Sequence, residues 1–307
     1  MLIDAHLHIY RERETGVRAK ADYPIVEYGT LDGVEYSARG GDAAEALAAL
    51  AEAGVAYAAV LNVFLMDGMP QPARGLLWPG ADGPPPHADR AAELTDLNEW
   101  LCDLAAEHPQ LLPMLTVHPG VMTPAQTADH VGSLVAQRGA RGVKLHTVAQ
   151  RFLPSDPALD PLWELCSDRG LPVIAHCGPD RLGTGWATPE AFVPLAERFP
   201  RLPLVLAHLG GGDFRRIAAV ADAFPQLRFD LSEIVSWVGA TNAPADSAAL
   251  AALIRAVGVE RVMAGSDFPW YEPAWVIDAV ARLPGLTAAE RALILGGTAA
   301  ELFGLSG

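Results

Sequence analysis

The sequence predicts an α/β fold, and within that class a (β/α)8 TIM barrel that forms a single domain over residues 1–307. Eight short apolar runs alternate with eight alanine-rich segments of helical character, which is the element count of such a barrel. The apolar runs are nearly uninterrupted, as expected for parallel strands that are buried on both faces. A doubly wound open sheet is the structural alternative, but no glycine-rich phosphate-binding turn follows the first run.

The strand candidates are the apolar runs themselves. In chain order they are MLIDAH, VAYAAVLNV, QLLPMLTVH, ARGVKLH, LPVIAH, LPLVLAH, LRFDLS and ERVMAGSD. The helix candidates alternate with these runs. They lie near residues 42–53, 90–107, 124–138, 157–169, 188–199, 211–223, 246–257 and 273–283. A last helical stretch, TAAERALILGGTAAELFG, closes the chain.

Two insertions interrupt this alternation, at residues 10–41 and 64–88. We predict long loops there, after strands 1 and 2, and the second insertion is too rich in proline and glycine for regular structure. Loops that follow strands lie over the C-terminal face of a barrel, where active sites are found. Both insertions are therefore expected near the site, as lids or as disordered segments.

Composition limits the choice of partners. The formal net charge is -15, whereas proteins that bind nucleic acid or anionic membranes carry clustered lysine and arginine. We therefore expect neither nucleic acid nor a membrane as a partner. Cys102, Cys166 and Cys177 show no paired spacing, which favours a reducing compartment over a disulfide framework. No apolar run approaches the ~18 residues of a membrane span and no signal peptide is recognisable, so we expect a cytoplasmic protein that acts on a small molecule. The sequence leaves a homo-oligomer open.

The histidines are unevenly distributed along these elements. Six lie at or beside the end of a predicted strand: His6, His8, His118, His146, His176 and His208. Asp267 takes the corresponding place on the eighth strand, and the strand ends of a barrel converge on one pocket. His6 and His8 are two residues apart on a strand, so they point the same way and can hold one metal ion. For His118, in the stretch VHPG, we expect only an ordinary hydrogen-bonded role.

Four motifs, DAHLH, VIAHCG, VLAHLGG and GSDFPW, follow one another through the predicted strands. Their order and spacing resemble the amidohydrolase superfamily, and within it the amidohydrolase 2 branch, which contains hydrolases, lactonases and decarboxylases. The likeness runs from residue 2 to the closing TAAELFGL. One departure is Gly297, which stands where the family tends to carry asparagine.

The resemblance implies a barrel whose first-strand histidines bind a divalent metal, with zinc the expected ion and manganese, iron or nickel as alternatives. His176 would be a further ligand of that metal. His208 would either hold a second ion or act as a base beside the first. Asp267 would contact the metal and take the proton from its bound water.

Lys144 and His146 share one face at the end of the fourth predicted strand, GVKLH. In dihydroorotase-like and urease-like relatives, a lysine in a similar setting reacts with CO₂, and its carbamate bridges two metal ions. A carboxylated Lys144 would bridge two ions here: the first-strand histidines and Asp267 would hold one, and His176 and His208 the other. Alternatively, Lys144 remains an ammonium group that pairs with Asp267 or with a substrate carboxylate.

We therefore expect a metal-dependent hydrolase, in which a metal-activated water cleaves a small amide, lactone or related cyclic substrate. Asp267 and His208 are its candidate catalytic residues. The alternative is a metal-dependent decarboxylase of an aromatic or unsaturated carboxylic acid. Lys144 favours hydrolysis, because two metal ions bridged by a carbamate are suited to generating hydroxide. A non-catalytic barrel is disfavoured, since none of the expected ligand positions is altered.

The candidate substrate-binding residues are His146, Arg151 and Trp270. His146 would polarise the scissile carbonyl, and Arg151 lies just beyond the fourth strand, where its guanidinium could clamp a carboxylate. Cys177 follows a strand histidine, and adjacent strand residues face opposite sides, so Cys177 is expected to pack against a helix. Other residues that follow strands are left unassigned: Arg181, Trp186, Trp237 and Tyr271.

Overall fold

A computed structural model of the protein describes residues 1–26, 33–65, 85–178, 183–211, 214–240, 243 and 246–305. Eight parallel strands pair in chain order, each with the next. They are β1 (Ile3–Leu7), β2 (Tyr57–Leu61), β3 (Leu111–Thr116), β4 (Gly142–Leu145), β5 (Val173–Ala175), β6 (Leu204–Leu206), β7 (Arg228–Asp230) and β8 (Val262–Met263). The predicted barrel is confirmed.

Backbone hydrogen bonds between β1 and the segment after β8 close the ring. The amide of Ala5 donates to the carbonyl of Ala264 (2.9 Å), and the amide of Asp267 donates to the carbonyl of His6 (2.7 Å). Leu7 also forms an isolated parallel bridge with Phe268. These bonds tie the chain segment of Asp267 to the strand that carries His6, so the barrel closure itself brings the two side chains together.

Helices alternate with the strands, as the sequence predicts. They are α1 (Arg13–Val26), α2 (Ala43–Glu52), α3 (Ala91–Glu107), α4 (Pro124–Arg138), α5 (Thr147–Gln150), α6 (Asp160–Arg169), α7 (Val193–Arg198), α8 (Phe214–Ala223), α9 (Ser247–Val257), α10 (Pro273–Arg282), α11 (Ala288–Ala292) and α12 (Thr298–Phe303). None of the helices in the described part of the chain combines the length and the apolar character that a membrane span requires.

Local signals fix the helix ends, and α4 is an example. The Thr123 hydroxyl accepts a hydrogen bond from the Gln126 amide, and the Gln126 side chain accepts one from the Thr123 amide, which is a capping box. Pro124 occupies the first helical position, where a missing N–H costs nothing. Gly139 ends the helix with a left-handed φ of 73°, which a residue without a Cβ adopts without strain.

The first insertion contains α1, so the prediction of a loop throughout residues 10–41 is wrong. Its sequence, RETGVRAKADYPIV, repeats no apolar face at helical spacing, and periodicity therefore gave no signal. The helix is held by tertiary contacts instead: the Lys20 ammonium donates to the Ser37 carbonyl at 2.7 Å. In the second insertion, Phe64 is buried against Leu94 and Val121, and residues 66–84 lie outside the described residues.

The barrel interior below the site is apolar. Side chains from strands on opposite sides of the ring, such as Ala5 of β1 and Ile174 of β5, belong to one buried cluster that α12 covers through Phe303. The pairing register of β1 shifts between Asp4 and Leu7, as at a β-bulge. Apolar layers thus fill the lower barrel, and the polar residues are left at the carboxyl ends of the strands.

Candidate metal centre

The strand-end residues converge on one pocket, as the sequence predicts. The empty space within it, including the part open to solvent, is about 300 Å³. The described residues that line it are His6, His8, Lys144, His146, His176, His208, Glu233, Asp267 and Trp270. Seven of the strand-end residues singled out in the sequence are among them, together with Trp270.

The carboxylate of Asp267 lies between the two histidines of β1. Its Oδ1 is 3.2 Å from Nε2 of His6 and 3.1 Å from Nε2 of His8. The ligand atoms of these three residues all lie within 4.8 Å of one another, and all three side chains are buried. Two imidazole nitrogens and one carboxylate oxygen are a donor set that could hold a divalent cation such as zinc or manganese.

Asp230, at the end of β7, fixes the orientation of the His6 ring. Its Oδ2 lies 2.9 Å from Nδ1 of His6. A carboxylate oxygen accepts, so Nδ1 carries the proton and the lone pair of Nε2 faces the pocket. A carboxylate behind a histidine ligand is the usual outer partner at a metal site. Asp230 was not predicted as a site residue, although the polar residues D and S within the apolar run LRFDLS were a usable signal.

His208 is oriented in a similar way. Its Nδ1 lies 3.1 Å from the carbonyl oxygen and 2.9 Å from the hydroxyl of Ser232. The carbonyl can only accept, so Nδ1 is protonated and Nε2 is left with a lone pair. The residue has a left-handed φ of 58°, which turns its side chain inward directly after the interior residue Ala207. Ser232, like Asp230, was not singled out in the sequence.

The protonation states of the candidate ligands are suited to binding a metal cation. Burial lowers the pKa of His6 to about 3, with the positive charge of Lys144 as the next cause. Burial also lowers the pKa of His8 and of His208. Burial alone would raise the pKa of Asp267, but the hydrogen bond from His8 and the charge of His6 outweigh it, and this pKa lies below its usual range. The imidazoles are therefore neutral and the carboxylate is ionised near neutral pH, as metal ligands must be.

Lys144 projects from β4 into this cluster. It is 1% exposed, and its Nζ lies 3.1 Å from Nε2 of His6. Its neighbours Val143 and Leu145 belong to the outer core between strands and helices, so the alternation of the strand directs Lys144 inward. The lysine and the three candidate ligands therefore share one small space.

A second grouping of possible ligand atoms joins His6, His208 and Asp230. The Asp230 carboxylate is committed elsewhere: Oδ2 contacts Nδ1 of His6, and Oδ1 accepts the amides of His208 (3.0 Å) and Ser232 (3.1 Å). Among the described residues, the grouping of His6, His8 and Asp267 is therefore the one whose ligand atoms face the pocket. His176, a predicted ligand, lines the pocket beside it and stacks on His146, with ring centroids 4.1 Å apart.

The predicted substrate-binding residues occupy different places. His146 and Trp270 line the pocket, and the Trp270 ring meets His8 edge to face at 5.5 Å. Arg151 follows α5 in a left-handed conformation, with φ 63°, and is not among the described residues that line the pocket. Its role stays a prediction, and Arg181 lies outside the described residues.

The remaining candidates take structural positions. Trp237 is buried and donates from Nε1 to the Tyr271 hydroxyl at 2.8 Å, and Trp186 is half-buried. Nε2 of His118 lies 2.6 Å from the Gln150 carbonyl, while its Nδ1 accepts the Gly120 amide, which is the ordinary role expected for it. Cys177 packs in the outer core, as its place on the strand predicts.

Replacing Asp230 with asparagine is expected to weaken metal binding by about 10–100-fold, the usual effect of losing an outer carboxylate partner. The amide is a weaker acceptor for Nδ1 of His6 and leaves the ring less firmly oriented. Competition with a chromophoric chelator measures the change. Asp129→Asn, on the exposed face of α4, makes the same chemical change and should leave metal affinity as it was. Equal affinities in the two variants would contradict the role assigned to Asp230.

The sequence was compared with family models and with curated proteins. The family model described as Amidohydrolase matches residues 3–305. No curated protein shows a match to the chain.

Solved structures share the fold over nearly the whole length. One is 5-carboxyvanillate decarboxylase from Sphingomonas paucimobilis, with 20% identity, 99% of each chain covered and a TM-score of 0.67. Another is dihydroxybenzoic acid decarboxylase from a Polaromonas species, with bound manganese and the inhibitor 2-nitroresorcinol; identity is 15%, coverage 99% of this chain and 97% of that chain, and the TM-score 0.70. A TIM-barrel protein from Bordetella bronchiseptica has 18% identity, 99% and 98% coverage and a TM-score of 0.69. Such identities establish the shared fold alone.

Proposed function

Because this chain belongs to the amidohydrolase family, whose model matches residues 3–305, we propose that it is a metal-dependent lyase that decarboxylates a small aromatic or unsaturated carboxylic acid. The observation that carries the proposal is Lys144, whose buried amine lies 3.1 Å from Nε2 of His6, beside the grouping of possible metal ligands that faces the pocket among the described residues. A cation next to a metal site suits a substrate carboxylate. The decarboxylases among the similar solved structures support the same choice.

His6, His8 and Asp267 would hold the divalent ion. Bound there, the ion would supply Lewis acidity toward the carboxylate of the substrate. Lys144 binds the same carboxylate electrostatically, in a buried site where charges are weakly screened. His146 and Trp270 provide ring faces and edges against which an aromatic substrate packs.

The reaction breaks the bond between the carboxylate carbon and the substrate carbon, whose electron pair then takes up a proton. The lowered pKa of Asp267 means that it holds no proton near neutral pH. Asp267 would therefore carry a proton from solvent to that carbon, and its lowered pKa makes the protonated carboxyl a ready donor toward the carbanion. Each turnover consumes one solvent proton and releases one CO₂, so atoms and charge balance.

Hydrolysis of a lactone or amide, which the sequence analysis put first, is the second candidate. It is favoured by one observation: the ionised Asp267 lies beside the imidazoles that would hold the metal, where it can act as a base toward water. The bridging carbamate on Lys144 is not needed for this reaction. We place it second because several of the similar solved structures are decarboxylases.

A substrate survey with the metal-loaded protein tests both candidates. We expect metal-dependent CO₂ release from at least one aromatic or unsaturated carboxylic acid, abolished by a chelator and restored by added manganese or zinc. A parallel panel of lactones and amides is followed by the acid that hydrolysis releases. Hydrolysis without CO₂ release from any acid would refute the lyase and establish the second candidate.

A further inference from the structure

Glu233 is a buried carboxylate in the pocket for which the proposed reaction has no use. It follows β7, is 7% exposed and lines the same pocket as His8 and Trp270. Its Oε2 lies 3.5 Å from Nδ1 of His208. Glu233 was not predicted as a site residue, because it lies one residue beyond the apolar run of the seventh strand.

The backbone holds Glu233 in a conformation that residues with side chains seldom adopt. Its φ is 62°, and among the described residues five non-glycine residues have φ values in this left-handed region. Three of the five line the pocket: His208, Glu233 and Asp267. A non-glycine residue loses stability in this region, and such residues concentrate at functional sites. At His208 and Asp267 the strained backbone delivers a side chain to the site, and the same geometry applies at Glu233.

Glu233 influences the pKa values of two nearby tyrosines. Burial first, and then the negative charge of Glu233, raises the pKa of Tyr271 well above its usual value. The same two causes raise the pKa of Tyr36. Glu233 and Lys144 line the same pocket, so a ligand in it meets a carboxyl group as well as an amine.

We propose that Glu233 determines which carboxylic acids the pocket accepts, by receiving a hydroxyl or amino group of the substrate and by repelling a second carboxylate. The inference rests on the proposed function, since it takes Lys144 to bind the first carboxylate. A buried acceptor discriminates strongly against a ligand that brings it no donor, and a like charge beside it is costlier still. The substrate class is therefore a monocarboxylic acid that carries a hydrogen-bond donor elsewhere on its ring or chain.

Binding measurements on the manganese-loaded protein test this without turnover. Calorimetric titrations use benzoate, the monohydroxybenzoates and the benzenedicarboxylates as probes, with wild type, Glu233→Gln and Glu107→Gln. Glu107 is an exposed glutamate at the end of α3, so its variant is the matched control. We expect the wild type and the control to prefer the best hydroxybenzoate over the corresponding dicarboxylate by about a hundredfold, and Glu233→Gln to reduce that preference at least about tenfold. Benzoate affinity should stay within about threefold between wild type and the control, and it should not fall in Glu233→Gln, because benzoate brings this carboxylate no donor.

The titrations distinguish failure of the role of Glu233 from failure of the proposed function. If benzoate binds but the preference is the same in wild type and Glu233→Gln, the role of Glu233 is refuted and the proposed function stands. If no aromatic carboxylate binds the wild type, the aromatic substrate class of the proposed function is refuted and this inference falls with it. Should Glu233→Gln fail to fold, Glu233→Asn replaces it, because asparagine tolerates the left-handed backbone better than most residues and also removes the charge.

Discussion

Replacing Asp267 with asparagine is expected to lower the rate of CO₂ release by about a thousandfold, the scale of losing a group that combines charge stabilisation with proton transfer. The carboxylate lies within 3.2 Å of the Nε2 atoms of both His6 and His8. Asparagine keeps its size but loses the charge and the ability to accept a proton. The φ of 56° at this position is one that asparagine adopts readily, so the fold should be retained.

Steady-state rates with the metal content of each sample measured alongside check this expectation. The matched control is Asp246→Asn, the exposed N-cap of α9, where asparagine caps as well as aspartate and the rate should not change. If the Asp267 variant is loaded with metal and still turns over within about tenfold of the wild type, Asp267 is not the proton-transferring residue.

Replacing Lys144 with methionine is expected to weaken benzoate binding by about a hundredfold, since truncating one partner of a buried charge pair costs several kcal/mol. Methionine preserves most of the side-chain volume in a site that is 1% exposed. Replacing a buried charge by an apolar side chain is often neutral or stabilising, so the protein should stay folded. Calorimetric titration with benzoate measures the loss. An affinity within about threefold of the wild type would remove the electrostatic basis of the lyase proposal.

The chain contains two lysines, Lys20 and Lys144, so methionine variants of each can test whether Lys144 is carboxylated. Lys20 lies outside the pocket, on α1, and Lys20→Met should leave benzoate binding unchanged. Carbon-13 bicarbonate gives a carbamate signal only where a lysine is carboxylated. A signal that persists in the Lys20 variant and disappears in the Lys144 variant, together with two metal ions per chain, would return hydrolysis to the first place. Its absence with one ion per chain fits the lyase.

Much of the fold could be read from the sequence because parallel barrel strands leave a simple pattern. Each strand is buried on both faces, so its apolar run is nearly continuous, and each run is followed by a helical segment. The same pattern placed His6, His8, His176 and Asp267 at strand ends, where the barrel brings them together. What escaped was α1, whose polar sequence forms a helix without an apolar face of its own and relies on contacts such as that of Lys20 with Ser37.

The sequence by itself determined the barrel, the strand-end cluster and its imidazole and carboxylate chemistry, because these depend on residue type and strand periodicity. Only the tertiary structure decided how the cluster is used. Asp230 orients His6, and Ser232 orients His208. Lys144 lies beside His6 although 138 residues separate the two in the chain. Glu233 enters the pocket through a left-handed backbone. Such contacts join positions far apart in the chain, or depend on one backbone angle, and no local pattern records either.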